Sequence, residues 1–230
     1  TEPIAIAYAG AVARETLGCQ PEKLDIKVSG NIIKNVKSVI VPNTGGMRGI
    51  EAALCAGVIA GDAQALLEVI AGVTPGQKEE IRKYMEQVQL TVTPVSTGHI
   101  FEIDVTVLAK QEKARVRIVD THTNIILIEK NDEVLFQKDA TSPEKETKTD
   151  HSILNVKDII DFANTVDVEA VKEVLERQIR YNTAISEEGL RGNYGANIGK
   201  VLLHTYGDNI KIRARAKAAA GSDARMNGCE

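Results

Sequence analysis

The sequence contains no tryptophan, and aromatic residues make up only 3% of its 230 positions. A core made without large rings has to be closed by Ala, Val, Ile and Leu, so the segments that meet must carry small residues and approach closely. Cysteine is equally scarce. The three present, Cys19, Cys55 and Cys229, are odd in number and far apart, which argues against a disulfide framework and fits a reducing cytoplasm. No apolar run is long: Ala52 to Gly61 ends at Asp62 and is about half of the roughly 20 residues a membrane-spanning helix needs. Charge of one sign is lacking too. A net charge of −4 leaves no electrostatic footprint for nucleic acid or an anionic membrane surface, so neither is expected as a partner. Four histidines occur without the HxxxH or HxH spacing of a zinc site.

What is present is a chain with 43% hydrophobic and 26% charged residues, long enough for one large domain or two small ones. Ile4, Ala5, Ala7, Tyr8, Ala11 and Val12 recur at helical spacing and stop at Gly18, a good residue to end a helix, while Glu2 complements the helix dipole. Leu24 to Val28 and Ser38 to Val41 are expected as short strands, followed by a turn at Pro42 to Gly46. A second helix carries Ile50, Ala53, Leu54, Gly57 and Val58 on a narrow face, and Pro75 opens a further helix over 75–87. From Val88 the period changes to two: Leu90 to Val92, Ile100 to Leu108, Val116 to Ile118 and Ile125 to Ile128 read as antiparallel strands. Residues 139–150 have almost no apolar side chain and are expected to be a linker. Helical patterns return at Ile153 to Phe162, Val168 to Ile185, Val201 to His204 and Ile210 to Ala220. The expected fold is therefore α+β, a helical domain in two sequence segments (1–87 and 151–230) with an inserted small antiparallel β domain at 88–138.

Four places carry candidate chemistry. In VPNTGGMRG, Val41 to Gly49, two adjacent glycines before a helix turn backbone N–H groups outward, the physical basis of an anion site that suits a substrate carboxylate; a plain tight turn is the alternative. The stretch is neither a Walker loop nor GxGxxG. His122, within Thr121-His122-Thr123-Asn124 at a strand edge, is placed to touch a ligand or to sit in a solvated turn. Lys211, Arg213, Arg215 and Lys217 spread over opposite sides of a helix, so they either solvate its surface or turn one or two cations inward to an anion. Ala218 to Gly221 leading to Asn227-Gly228-Cys229 reads as backbone packed tightly around a site, with the flexibility and polar surroundings a metal-binding thiolate needs. Cys55 among Ala52, Ala53 and Ala56 reads as a small buried hydrophobe, and Cys19 as an incidental loop thiol.

Three stretches, Thr1-Glu2-Pro3-Ile4-Ala5, VPNTGGMRGIEAALCAG at Val41 to Gly57 and AAAGSDARMNGCE at Ala218 to Glu230, resemble the L-cysteine desulfidase family, a relative of the α chain of iron–sulfur L-serine dehydratases. The likeness covers nearly the whole chain, and the strand-rich middle with its THTN turn is similar to the small β domain of the serine dehydratases. In such proteins Thr-Glu-Pro follows Gly-Cys and Asn-Gly-Cys-Glu continues toward further cysteines, so the chain is expected to be an internal fragment cut inside both motifs. The resemblance implies a [4Fe–4S] cluster in the parent protein, held by three cysteines with one iron open to substrate, and none in this fragment. It implies Cys229 as a cluster ligand and Thr1 and Glu2 as flanks of an upstream catalytic cysteine; the outward turn of Asn43, Thr44, Gly45 and Gly46, with His122 and Asn124 at the strand edge, supplies the expected substrate-binding residues. The activity implied is β-elimination on L-cysteine or L-serine, giving pyruvate and ammonia with sulfide or water; the alternative is a non-catalytic amino-acid-binding or regulatory domain. The expected partner is a small amino acid, and a homodimer is left open.

Overall fold

The computed structural model describes residues 1–138 and 154–229, which fall into two compact units. The expected linker at 139–150 lies outside the described residues.

In residues 1–138, helix α1 (Glu2–Leu17) ends as its sequence indicates: Gly18 takes φ 87° and its N–H closes on Arg14 O. Strand β1 (Lys23–Ser29) follows, then α2 (Gly30–Val36), α3 (Gly49–Ala60), a 3-10 turn over Ala63–Glu68 and α4 (Pro75–Gln87). Thr74 and Gln77 form a capping box at the start of α4, with Pro75 in its first turn. Strands β2 (Gln89–Val95), β3 (Glu102–Ala109), β4 (Glu112–Val119), β5 (Ile125–Lys130) and β6 (Glu133–Gln137) complete the unit.

The fold is α+β, and its sheet is not confined to the middle segment. Six strands run in the order β2-β1-β3-β4-β5-β6, so β1, from the first helical segment, lies inside the sheet, parallel to β2 and antiparallel to β3. An inserted, purely antiparallel domain at 88–138 is thus corrected to a mixed sheet shared by both stretches. The reason is connectivity: parallel neighbours need a long crossover, and α2, α3 and α4 supply it between β1 and β2. A second correction concerns Ser38 to Val41, which forms no strand. Ile40 makes one isolated bridge to Arg48, and Ile32 and Val36, four residues apart, are instead the buried face of α2.

Helix α1 is packed on both sides, by α3 and by the sheet face of β3 and β4. Ala5, Ile6, Ala7, Ala9, Ala11 and Ala13 are fully buried, as expected of a helix that is apolar around most of its circumference. The seam with α3 is closed by glycine: a β-carbon on Gly57 would lie 1.9 Å from Ala7 O. On the core side β3 contributes Ile103, Val105 and Val107, all fully buried. Its alternate residues join a polar ladder, in which Arg115 holds Asp104 through two hydrogen bonds of 2.7 and 2.9 Å and Arg117 donates to Glu102 at 2.8 Å.

Residues 154–229 form four helices: α5 (Val156–Thr165), α6 (Val168–Arg191), α7 (Ile198–Tyr206) and α8 (Ile210–Met226). Ala216, Ala220 and Ala224, at helical spacing, are the buried stripe of α8, and a β-carbon on Gly189 of α6 would lie 2.2 Å from Ala220 O. The cations of α8 take the solvated reading, since Arg213 pairs with Asp208 and Lys217 with Glu187 at its surface. Among the described residues no helix is long and apolar enough to cross a membrane.

Candidate functional site

Two side chains singled out from distant parts of the sequence, Glu2 and His122, lie within electrostatic range of each other in the first unit. Glu2, in the first turn of α1, accepts a hydrogen bond from Asn35 Nδ2 at 3.1 Å. Burial pushes its carboxyl up, while its own backbone N–H and Asn35 pull it down. His122 is within electrostatic reach of the same carboxylate. The turn before β5 carries it, and its ring is tilted by 60° against Phe101, centroids 4.7 Å apart. Its Nε2 is buried without a hydrogen-bond partner among the described residues. Desolvation lowers its basicity and outweighs the opposing pull of Glu2, so the neutral imidazole is favoured. The site thus joins a carboxylate, an uncommitted imidazole nitrogen and an aromatic wall. Asn124 has a structural task here: its amide donates to Val119 O at 3.0 Å and holds the turn.

The turn at 43–46 is built in two layers. Asn43 Nδ2 donates to Ile70 O at 3.1 Å, and the fully buried Thr44 hydroxyl donates to Val41 O at 2.7 Å, so both side chains are tied to the protein behind the turn. Val41 N–H closes the loop on Met47 O at 2.9 Å. The exposed tip is Gly45 and Gly46, with φ 72° and 91° in the region that glycine enters without strain. Their N–H groups bond no other described residue. The amides rather than the Asn43 and Thr44 side chains are therefore what this turn offers a ligand. No hydrogen bond or ion pair among the described residues joins it to Glu2 or His122.

Cys229 belongs to the second unit. Its N–H bonds Ala224 O at 3.0 Å, and its sulfur is in hydrogen-bonding contact with the Tyr194 hydroxyl. That hydroxyl also donates to Glu188 Oε1 at 2.7 Å. The carboxylate first and the cysteine second raise the phenol above its ordinary value. Asp223 ties the two chain stretches together by accepting from Ile198 N–H at 2.9 Å, and Asn227 donates to Asp223 O at 2.8 Å. Tyr194 and Glu188 are neighbours that the sequence reading did not name; the signal was the pair Gly192 and Gly195 flanking a lone tyrosine.

A four-iron cluster takes several thiolates. Cys229 is the one cysteine of residues 154–229, and no group of three His, Cys, Asp or Glu side chains among the described residues could hold a metal ion. Cys55 is buried on α3 with its thiol pushed up to about 12, by burial and then by the Glu51 charge, and Cys19 is exposed in the other unit. The described residues therefore do not make a cluster site by themselves.

No family model and no solved structure matches the chain. It is similar to a UPF0597 protein of Desulfitobacterium hafniense, 52% identical over 230 residues that take in 100% of this chain and 54% of the relative. A UPF0597 protein of Lachnoclostridium phytofermentans is 49% identical, covering 100% of this chain and 55% of its own length. One of Fusobacterium nucleatum is 44% identical over 236 residues, with 100% and 55% covered. The chain spans about half the length of the curated relatives it matches.

Proposed function

We propose that this chain is part of a cytoplasmic β-eliminating lyase that acts on L-cysteine or L-serine, releasing pyruvate and ammonia with sulfide or water. The reading rests on the motif resemblance, and one observation carries it further. The Glu2 carboxylate, in the Thr1-Glu2-Pro3 stretch, lies within electrostatic range of the His122 imidazole in the THTN turn, and His122 Nε2 is buried without a hydrogen-bond partner among the described residues. A lyase of this kind has to remove an α-proton beside a polarised substrate, and a carboxylate within range of an uncommitted imidazole nitrogen suits such proton handling. The [4Fe–4S] cluster belongs to the longer protein in this proposal, with Cys229 as one ligand and the rest supplied from outside these residues.

The test is anaerobic reconstitution of the full-length parent with iron and sulfide, followed by a pyruvate assay on both amino acids. Cluster absorbance in the visible and pyruvate from one or both substrates are expected. A loaded protein that binds the amino acids and releases no pyruvate would replace the lyase with an amino-acid-binding module.

A further inference from the structure

Helix α5 is ten residues long and buries none of them. Val156, Ile159 and Ile160 nevertheless line one side of it at helical spacing. A helix shorter than about 12–15 residues is marginal in water, and what stabilises one in a protein is the packing of its apolar side. The first half of α6 repeats the pattern. Val168, Leu175 and Ile179 fall on the side that carries Ser186 and Gly189, the residues buried in the second half of the same helix. There α8 closes the stripe, through the approach of Gly189 to Ala220. That cover reaches as far as Asn182, which accepts a hydrogen bond from Arg225, next to last in α8. Further along the same side Leu175 is 47% exposed, Ile179 64% and Val168 68%. The opposite side is made for solvent, with the ion pair of Glu173 and Arg177.

We infer that the apolar sides of α5 and of the first half of α6 are an interface, and that its occupant is the part of the longer parent protein outside residues 1–230. Single exposed apolar side chains are ordinary, but a row of them at core spacing, continuous with a buried stripe, is what a hydrophobic core shows along a wall that another segment closes. The chain spans about half the length of its curated relatives, so in them nearly as much polypeptide again is at hand to form that wall. All of this chain, α5 and α6 included, aligns with those longer proteins. A second copy of this chain is the competing occupant. The parent is favoured because its further polypeptide is joined covalently and meets the face at any protein concentration. The occupant is expected to bring an apolar face of Ala, Leu, Ile or Val, the residues that close the core of this chain.

Hydrogen exchange read by mass spectrometry, on this chain and on the full-length parent under the same conditions, tests the interface. The amides of α5 and of α6 from Val168 to Tyr181 should exchange rapidly in this chain and about tenfold or more slowly in the parent, while α1 stays protected in both and reports that the first unit is folded. Light scattering of this chain over a range of concentrations reads the competing occupant. Protection of α5 that grows with concentration, together with a dimer, gives the face to a second copy and overturns the proposal. Full protection of α5 in the monomeric chain overturns it too, by placing the cover within residues 1–230, and so does a parent that exchanges α5 as fast as this chain. Leu175→Glu combined with Ile179→Glu gives a second reading. The pair should leave the Tm of this chain within about 2 °C, as surface substitutions do, and should speed exchange of α5 and α6 in the parent about tenfold or more with α1 still protected. A parent that carries both changes and keeps its original protection overturns the interface.

Discussion

The α1–α3 seam offers the sharpest test of how this protein is held together, through Gly57→Ala. A β-carbon there lands 1.9 Å from Ala7 O and 2.6 Å from both the carbonyl carbon and Cα of Ala7. All three atoms are backbone, so no rotamer change relieves the contact and the helices have to separate by roughly 1 Å. Fully buried residues line the contact on both sides, among them Ala7 and Ala11 on α1 and Ala53 and Leu54 on α3. A gap of about 1 Å forfeits up to about half of the attraction of each atom pair it opens. Overpacking of this kind costs about 1–3 kcal/mol and occasionally more, while alanine is favoured over glycine in a helix by about 1 kcal/mol. The backbone clash puts the mutant at the upper end, a net loss of about 2 kcal/mol. At about 2–4 °C per kcal/mol for a chain of this size, the Tm should fall by about 4–8 °C. Circular dichroism melts measure that fall, and faster hydrogen exchange at the α1 amides assigns it to the first unit. Gly30→Ala is the control, because nothing lies within 4 Å of its β-carbon; it should stay within about 0.5 kcal/mol of the unmodified chain. A Gly57→Ala protein that melts at or above the unmodified Tm would refute the close-approach argument.

Other expectations follow from the same structure. Alkylation under native conditions at pH 8, read by mass spectrometry, should label the exposed Cys19 well before Cys55, whose thiol is buried and pushed up to about 12; equal labelling of the two would contradict the packing of α3. His122 is depressed below its usual value, chiefly by desolvation, so the unfolded chain takes up its proton at higher pH than the folded one. The stability this contributes is fully present above the unfolded value of about 6.5 and is lost as pH falls from there through the folded value. An imidazole titration by NMR with a midpoint at or above that of a model peptide would reverse the sign.

Sequence alone determined the elements whose signal is local. Helix α1 was legible from its apolar spacing and Gly18, α4 from Pro75, and β1 and β3 from alternation, because caps, turns and burial of one face act within a few residues. The small residues of α3 and α8 were visible too, and they face what a chain poor in aromatics makes them face, another backbone. Only tertiary structure decided that β1 enters the sheet beside β2, since pairing partners are chosen across dozens of residues and nothing in Leu24 to Val28 names β2 or β3. The candidate site divides in the same way. Glycines at 45 and 46 announce an outward turn from the sequence, because left-handed backbone is a property of the residue itself. That Asn43 points to the Ile70 carbonyl, that Glu2 comes within electrostatic range of His122 and that Tyr194 meets Cys229 all join segments far apart in the sequence. Such contacts are fixed by how helices and strands pack, and a side chain carries no mark of its distant neighbour.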